Sequence, residues 1–278
     1  MLSAQGPLFG VALALWGCHI RVHVYIDGFN LYYGSLKGTP HKWLDVVQLS
    51  KQLVPSTDVV ERVKYFTARV SGAADPESPR RQQKYIKALG TLPEVDVYFG
   101  RFLSKTIWRP LVNLPVGGAT INCTPPAVLA TGAHQVTGGT LANPATVVVD
   151  TYPQKGAHRR RKKPARPLSD ALIVECHSME EKGSDVNLAA HLLNDAWKGD
   201  FDAALVISND TDLCTPIRMV SQDLKLPVYV ACPDRNFTLS PELAAVATHV
   251  RHIRPGMLSN AQLPSSLPGA GGTKPIAW

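Results

Sequence analysis

The stretch AALVISNDTDL, residues 203–213, decides the fold class. Its first five residues, Ala203–Ile207, are all apolar, which is typical of a central strand that is covered on both faces. A polar segment at 208–212 follows at once, and a pattern suited to a helix begins at Leu213. This order predicts a buried strand, then a turn that carries two aspartates, and then a helix that returns over the sheet.

The same alternation of strand and helix extends to both sides of this stretch. Strand-like runs stand at 22–26, 59–70, 95–103, 171–176 and 228–231, and helical patterns stand at 43–54, 77–92, 184–197, 213–224 and 241–247. Strands that alternate with helices predict a mainly parallel sheet with helices on both faces, an α/β/α sandwich. For the helix at 184–197, the predicted buried stripe consists of Val186, Ala189, Ala190, Leu193 and Trp197.

Three segments are predicted to lie outside this core. Residues 1–20 form an apolar leader that is too short to cross a bilayer, so no membrane association and a cytoplasmic location are expected. Residues 104–168 are rich in Pro, Gly and Thr, and we expect an insertion with a marginal strand near 146–149. The insertion interrupts a domain at 21–253, and residues 254–278 are expected to be a loosely held tail.

The basic character of the chain comes from one window within the insertion. The 278 residues include 29 Lys and Arg against 22 Asp and Glu, a net charge of +7. Residues 155–166 hold seven basic residues and no acid, so +7 minus these seven charges leaves the remaining chain neutral. Such a window is ordinarily a solvated charged segment. Its functional interpretation is weak contact with nucleic acid through Arg159, Arg160 and Arg161.

Several common motifs are absent from the sequence. The five cysteines are scattered without a C-x-x-C pair, so neither a disulfide framework nor a zinc site is indicated. No G-x-x-x-x-G-K-[ST] occurs, no G-x-G-x-x-G follows a strand, and no G-x-S-x-G is present. The sequence therefore predicts no nucleotide cofactor and no serine-hydrolase elbow.

Aspartates follow the predicted strands at several places. Asp27 comes directly after the first strand, Asp210 and Asp212 follow the strand at 203–207, and Asp185 lies in the first turn of a helix. The carboxyl ends of parallel strands meet at one edge of a sheet, so we expect these side chains to converge, with Asn30 nearby. Clustered carboxylates repel each other unless a cation lies between them, and oxygen ligands favour Mg²⁺ or Mn²⁺.

Each aspartate also has a purely structural interpretation. Asp185 suits the positive end of its helix dipole, and Asp210 or Asp212 suits the cap of the helix that follows. Asp27 with Gly28 suits a turn. The coincidence of aspartates at three separate strand or helix ends is what favours a metal site.

Three blocks around these aspartates resemble a known family. They are VYIDGFNLYYG at 24–34, EKGSDV at 181–186 and SNDTDL at 208–213. Together they resemble the NYN-domain family of the PIN-like nuclease superfamily, and the C-terminal tail is similar to its LabA-like bacterial members. The resemblance extends over residues 22–103 and 170–253, whereas the stretch at 104–168 departs from the short connection of such relatives.

The resemblance implies metal-dependent cleavage of RNA phosphodiester bonds on an α/β/α fold. By position, the acidic metal ligands of the family fall on Asp27, Asp185, Asp210 and Asp212, and its asparagine falls on Asn30. The expected protein is a Mg²⁺- or Mn²⁺-dependent ribonuclease in which a metal-bound water attacks the phosphate. Further candidates for contact with RNA are Ser208, Lys182 and Arg69.

Two other functions stay open from the sequence. One is a non-catalytic module that binds RNA for regulation, and the other is a structure-specific DNA nuclease that shares the metal site. RNA and DNA are distinguished by contacts to the 2′-hydroxyl, which a sequence does not show. Oligomeric state is likewise not predicted.

Overall fold

The computed structural model describes residues 19–72, 75–110, 128–129, 172–269 and 272–276. The chain divides into two compact units, of which the first combines Met1–Phe102 with Glu181–Trp278 and the second is Leu103–Glu180. Most of the predicted leader, the predicted strand at 146–149 and the basic window lie outside the described residues.

The described elements alternate between strand and helix along most of the chain. The strands are β1 (Arg21–Asp27), β2 (Val59–Ala68), β3 (Val95–Pro110), β4 (Val128–Leu129), β5 (Leu172–Lys182), β6 (Ala203–Ile207), β7 (Val228–Cys232), β8 (His249–His252), β9 (Ser266–Leu267) and β10 (Gly272–Thr273). The helices are α1 (Gly28–Leu31), α2 (Val46–Leu53), α3 (Ser78–Leu89), α4 (Ser184–Lys198), α5 (Cys214–Arg218), α6 (Pro241–Val246) and α7 (Pro255–Asn260).

The first unit is built on a parallel sheet. Its strands pair in the order β3-β2-β1-β6-β7-β8, and each neighbouring pair runs parallel. The chain proceeds from β1 to β2 and β3 on one side, and from β6 to β7 and β8 on the other. In the second unit β4 pairs antiparallel with β5. The predicted α/β sandwich is confirmed, and the reversal between β1 and β6 creates a switch point at the sheet edge.

Alternate residues of the central strands face two separate cores. One core joins Val22, Val24 and Ile26 of β1 to α2, α3 and α7. The other joins Tyr25 of β1 and Val206 of β6 to α4, α5 and α6. Because successive strand residues point to opposite faces, a wholly apolar strand such as β6 is buried on both sides. The result is three layers, with the sheet between two layers of helices.

The buried face of α4 differs from the predicted stripe. The helix buries Leu188, Leu192 and Asp195, whereas Val186 and Trp197 are 71% and 82% exposed. The predicted stripe is wrong at Val186 and Trp197, whereas Ala189 and Leu193 are partly buried against the core. The error arises because an apolar count treats aspartate as a surface residue. Asp195 is instead turned inward, where its carboxylate accepts hydrogen bonds from partners on β1 and β2.

The C-terminal residues also depart from expectation. Leu258, Ala261 and Leu263 are buried in the core of the first unit, and the Trp43 indole donates a 2.8 Å hydrogen bond to the Pro264 carbonyl. This part of the predicted tail therefore belongs to the packed unit. The helix predicted at 213–224 is divided into a 3₁₀ turn, the short α5 and a π-helical turn.

Candidate functional site

The candidate site lies at the switch point, where β1 and β6 end side by side. Ile26 pairs with Ile207 in the parallel ladder, so the residues that follow them, Asp27 and Ser208, are neighbours. The Ser208 hydroxyl donates to Asp27 Oδ2 over 3.2 Å. Open α/β sheets bind ligands in the crevice outside the carboxyl ends of their strands at such a reversal. We call this place the switch-point crevice.

Asp27 is buried and surrounded by hydrogen-bond donors. Its Oδ1 accepts from the backbone amides of Phe29 and Asn30 at 3.1 and 2.9 Å, which caps α1. Its Oδ2 accepts from Asn30 Nδ2 at 2.5 Å, in addition to Ser208. Burial raises the pKa of Asp27, and the hydrogen bonds from Asn30 and Ser208 oppose that rise. Asn30 and Ser208 therefore hold this carboxyl group in place.

Asp210 is the corresponding cap after β6. Its Oδ1 accepts from the Asp212 amide at 3.0 Å, and its own amide donates to the Ser208 hydroxyl at 3.1 Å. Ser208 thus connects the two strand ends, because its hydroxyl contacts Asp27 and the Asp210 backbone. Asp212 lies exposed in the first turn of the 3₁₀ segment.

Asp185 enters the same crevice from the start of α4. Gly183, with a φ of 97°, turns the chain from β5 into this helix, and Asp185 lies half-buried in its first turn. Burial raises the pKa of Asp185 to about 7, and surrounding carboxylates add to the rise. Those carboxylates are Asp27, Asp210, Glu181 and Asp212. The four predicted aspartates therefore share one electrostatic neighbourhood, together with Glu181.

Aromatic side chains adjoin the crevice, and the sequence reasoning did not single them out. The ring of Phe29 lies nearly parallel to that of Tyr33 at 6.4 Å between centroids, and it meets Phe102 edge-on at 5.6 Å. Phe29 is half-buried and Tyr33 is 42% exposed. The sequence signal for Phe29 and Tyr33 is their place in the first turns after Asp27. Gly28 is required here, because a Cβ at this position would lie 2.7 Å from the Tyr65 hydroxyl.

Two of the predicted basic candidates, Arg69 and Lys182, lie near β3. The Arg69 guanidinium lies 5.2 Å from the centre of the Phe99 ring on β3. Lys182 lines a shallow pocket with residues of β3. Arg159, Arg160 and Arg161 lie outside the described residues.

Comparison with known proteins gives one named relative. The chain is 29% identical over 280 residues to a 6-hydroxy-3-succinoylpyridine 3-monooxygenase of Pseudomonas putida, covering 93% of this chain and 75% of that protein. No family model matches the sequence. A solved structure of a protein of unknown function from Vibrio parahaemolyticus aligns with a TM-score of 0.43 at 13% identity, over 85% of this chain and 94% of the other.

The Pseudomonas relative overturns the predicted ribonuclease. A monooxygenase is an oxidoreductase, so the predicted hydrolysis of phosphodiester bonds is wrong, and neither the DNA-nuclease nor the RNA-binding alternative gains support. The resemblance to the NYN family and the RNA partner stay predictions. In the ranges that the structure describes, no helix is long and apolar enough to cross a membrane.

The predicted Mg²⁺ or Mn²⁺ cofactor is also wrong. The relative is a monooxygenase, and among the described residues no group of three or more His, Cys, Asp or Glu side chains is arranged to hold a metal ion. The structure gives Asp27 and Asp210 a local structural role. Both oxygens of Asp27 and one oxygen of Asp210 accept hydrogen bonds from amides or hydroxyls, and the two residues cap the helical turns that follow β1 and β6.

Proposed function

We propose that this protein is an oxidoreductase that transfers one atom of O₂ to the ring of a hydroxypyridine. The proposal draws its reaction class from the Pseudomonas relative, whose name specifies a hydroxylated pyridine as the compound it oxygenates. The oxygen atom forms a C–O bond at a ring carbon, and the bond from that carbon to the group it carries breaks. The second oxygen atom leaves as water, and an external donor such as a reduced nicotinamide supplies the electrons. The switch-point crevice is the proposed place of reaction.

The observation that carries the proposal is the half-buried position of Asp185 at the start of α4, among the carboxyl groups of this crevice that raise its pKa. A carboxyl group with a pKa of about 7 both gives and takes a proton at neutral pH, as a general acid or base must. The hydroxyl of a hydroxypyridine donates more electron density to its ring when it loses its proton. Asp185 takes that proton before oxygen is added to the ring and returns it afterwards.

The aromatic side chains beside the crevice suit a planar substrate. The half-buried Phe29 ring is fixed between Tyr33 and Phe102, so it offers a rigid aromatic surface close to Asp27. Aromatic rings pack favourably in offset-stacked or edge-on arrangements. A pyridine ring against Phe29 or Tyr33 would lie beside the carboxyl groups that exchange its proton.

Asp27 acts as a positioning residue in this scheme. Its carboxyl group is fixed by Asn30 and Ser208, and its proximity is one of the causes that raise the pKa of Asp185. The arrangement resembles other sites in which neighbouring carboxyl groups discourage simultaneous ionisation. Asn30 and Ser208 therefore act on Asp185 through Asp27.

A flavin is one group that supplies oxygen chemistry to proteins, so we tested the crevice for it. The diphosphate of a dinucleotide flavin binds free amides at the start of a helix that follows a strand. Here the amides of Phe29 and Asn30 are bonded to Asp27, and the amide of Asp212 is bonded to Asp210. The crevice does not fit such a diphosphate, and we assign no step to a flavin there.

Isotope labelling tests the proposed reaction. The full chain, purified aerobically with any bound redox group retained, is incubated with 6-hydroxy-3-succinoylpyridine, a reduced nicotinamide and ¹⁸O₂. We expect mass spectrometry to find one labelled oxygen in the organic product. The Asp185→Asn variant is expected to be slower by about 100-fold or more, and Asp223→Asn, at an exposed site, is expected to match the parent. A product without label, or an Asp185→Asn variant as fast as the parent, would contradict the proposal.

A further inference from the structure

A second concave site lies between the middle of β3 and the turn that leads from β5 into α4. It is an open pocket of about 340 Å³, and it is lined by Phe99, Gly100, Arg101, Lys182, Gly183 and Asn187. This volume is at the lower end of the range found for small-molecule sites. We call it the basic pocket.

The lining of the basic pocket is positive, in contrast to the acidic crevice. Arg101 and Lys182 bring two cationic groups, Asn187 brings a neutral amide, and none of the six lining residues is acidic. The nearest carboxylate, that of Glu181 beside Gly100, accepts hydrogen bonds at Oε1 from the backbone amide and the hydroxyl of Ser184. A third cation, Arg69, lies against the Phe99 ring, which contributes an apolar wall. Arginine and lysine side chains bind carboxylates through short charge-assisted hydrogen bonds. An anion with a short apolar chain matches this set of groups.

The basic pocket and the crevice share one segment of chain. Lys182 and Gly183 line the pocket, while Asp185, two residues further on, lies among the carboxylates of the crevice. The segment is held tightly against β3 at Gly100, where a Cβ would lie 2.7 Å from the Lys182 carbonyl oxygen and 2.9 Å from Ser184 Oγ. The backbone of Lys182 therefore packs closely against β3 at Gly100.

We propose that the basic pocket binds the carboxylate end of the substrate while its ring lies in the switch-point crevice. This inference rests on the proposed function for the ring, and it adds the residues that would bind an acidic side chain of the substrate, Arg101 and Lys182. A succinoyl group, which the name of the Pseudomonas relative includes, is a short chain that ends in a carboxylate. Opposite charges in the two places also orient the substrate, because the carboxylate is repelled from the crevice and attracted to the pocket.

A matched pair of ligands separates the pocket from the ring site. Binding of 6-hydroxy-3-succinoylpyridine and of 6-hydroxy-3-butanoylpyridine, in which a methyl group replaces the carboxylate, is measured by calorimetry with the full chain. We expect the succinoyl compound to bind at least about 10-fold more tightly than the butanoyl compound. The double variant Arg101→Gln/Lys182→Gln is expected to lose this preference and to bind the butanoyl compound as the parent does. The control Lys51→Gln/Arg80→Gln removes the same charge from α2 and α3 and is expected to keep the preference.

The outcomes distinguish this inference from the proposed function. If both compounds bind and the double variant still prefers the succinoyl compound, the basic pocket does not bind the carboxylate. In that case the proposed site for the ring is unaffected. If neither pyridine binds but succinate alone binds and requires Arg101 and Lys182, the pocket is supported and the hydroxypyridine function fails. If inorganic phosphate binds at least about 10-fold more tightly than succinate, the assignment to a carboxylate is overturned. Circular dichroism spectra that match the parent confirm that the double variant is folded.

Discussion

The Lys64 ammonium lies 2.6 Å from Asp195 Oδ2. Both side chains are largely buried, with exposures of 12% for Lys64 and 3% for Asp195. The same oxygen accepts a 2.6 Å hydrogen bond from the Tyr25 hydroxyl, and His23 Nδ1 lies 3.7 Å from it. Burial alone would raise the pKa of Asp195, but His23, Lys64 and Tyr25 together hold that pKa below its usual range. This cluster joins α4 to β1 and β2.

Replacing Lys64 by Met is expected to lower the free energy of unfolding by about 3 kcal/mol. The substitution leaves the Asp195 carboxylate buried without its cation, and breaking a buried pair on one side costs about this much. Urea unfolding followed by circular dichroism measures the change. The control Lys51→Met removes an exposed lysine of α2 and is expected to stay within about 0.5 kcal/mol of the parent. Equal stability of Lys64→Met and the control would show that the pair contributes little.

Because the pKa of Asp195 is lowered, the stability lost in Lys64→Met is expected to depend on pH. A carboxyl group with a depressed pKa in the folded state adds stability above its unfolded pKa and loses it as pH falls. The difference in free energy of unfolding between the parent and Lys64→Met should therefore be largest near about pH 6, and it should shrink below about pH 4. A difference that stays constant down to acid pH would indicate that lost packing, and not the charge, causes the destabilisation.

Replacing Asp185 by Asn is expected to stabilise the protein at alkaline pH. Because the pKa of Asp185 is raised to about 7, the folded state favours the protonated form, and ionisation opposes folding. This opposition is absent below the unfolded pKa of about 3.9 and grows as pH rises towards 7. We expect the variant to gain about 1–2 kcal/mol at about pH 8, a figure limited by solvent screening of a half-buried group, and to gain nothing at about pH 4. Unfolding curves at both pH values test this, and an equal gain at both would contradict it.

Replacing Gly100 by Ala is expected to destabilise the first unit by about 1–3 kcal/mol. The new Cβ would lie 2.7 Å from the Lys182 carbonyl oxygen, so β3 and the start of α4 must move apart. Gly90→Ala is the matched control, because its Cβ would meet nothing closer than 3.5 Å and its φ is −67°. Thermal unfolding of both variants gives the comparison. If Gly100→Ala is as stable as Gly90→Ala, the close contact between β3 and Lys182 is not present in solution.

The orientation of α4 predicts opposite effects for two large apolar residues. Trp197 is 82% exposed, so Trp197→Ser should change the free energy of unfolding by less than about 0.5 kcal/mol. Leu188 is fully buried, and Leu188→Ala should cost about 2–5 kcal/mol. Urea unfolding of both variants measures the two effects. A large loss for Trp197→Ser together with a small loss for Leu188→Ala would restore the stripe expected from the sequence.

The candidate site was partly predictable. The aspartates at 27, 185, 210 and 212 are expected to converge because parallel strands end at one edge of the sheet. In the structure Asp27, Asp210 and Asp212 all contribute to the raised pKa of Asp185. Their chemical role was not predictable, because a carboxylate has the same sequence signature as a metal ligand and as a helix cap. Only the hydrogen bonds of Asp27 and Asp210 to nearby amides separate the two roles.

The sequence by itself determined the order of strands and helices, since apolar runs such as Ala203–Ile207 and the turns that follow them are local properties of the chain. It also predicted a mainly parallel sheet, because helices separate most consecutive strands of the first unit. Tertiary structure alone decided which face of α4 is buried. Asp195 is stabilised inside by Tyr25 and Lys64, which lie 170 and 131 positions away in the chain, and no local pattern encodes partners at such distances.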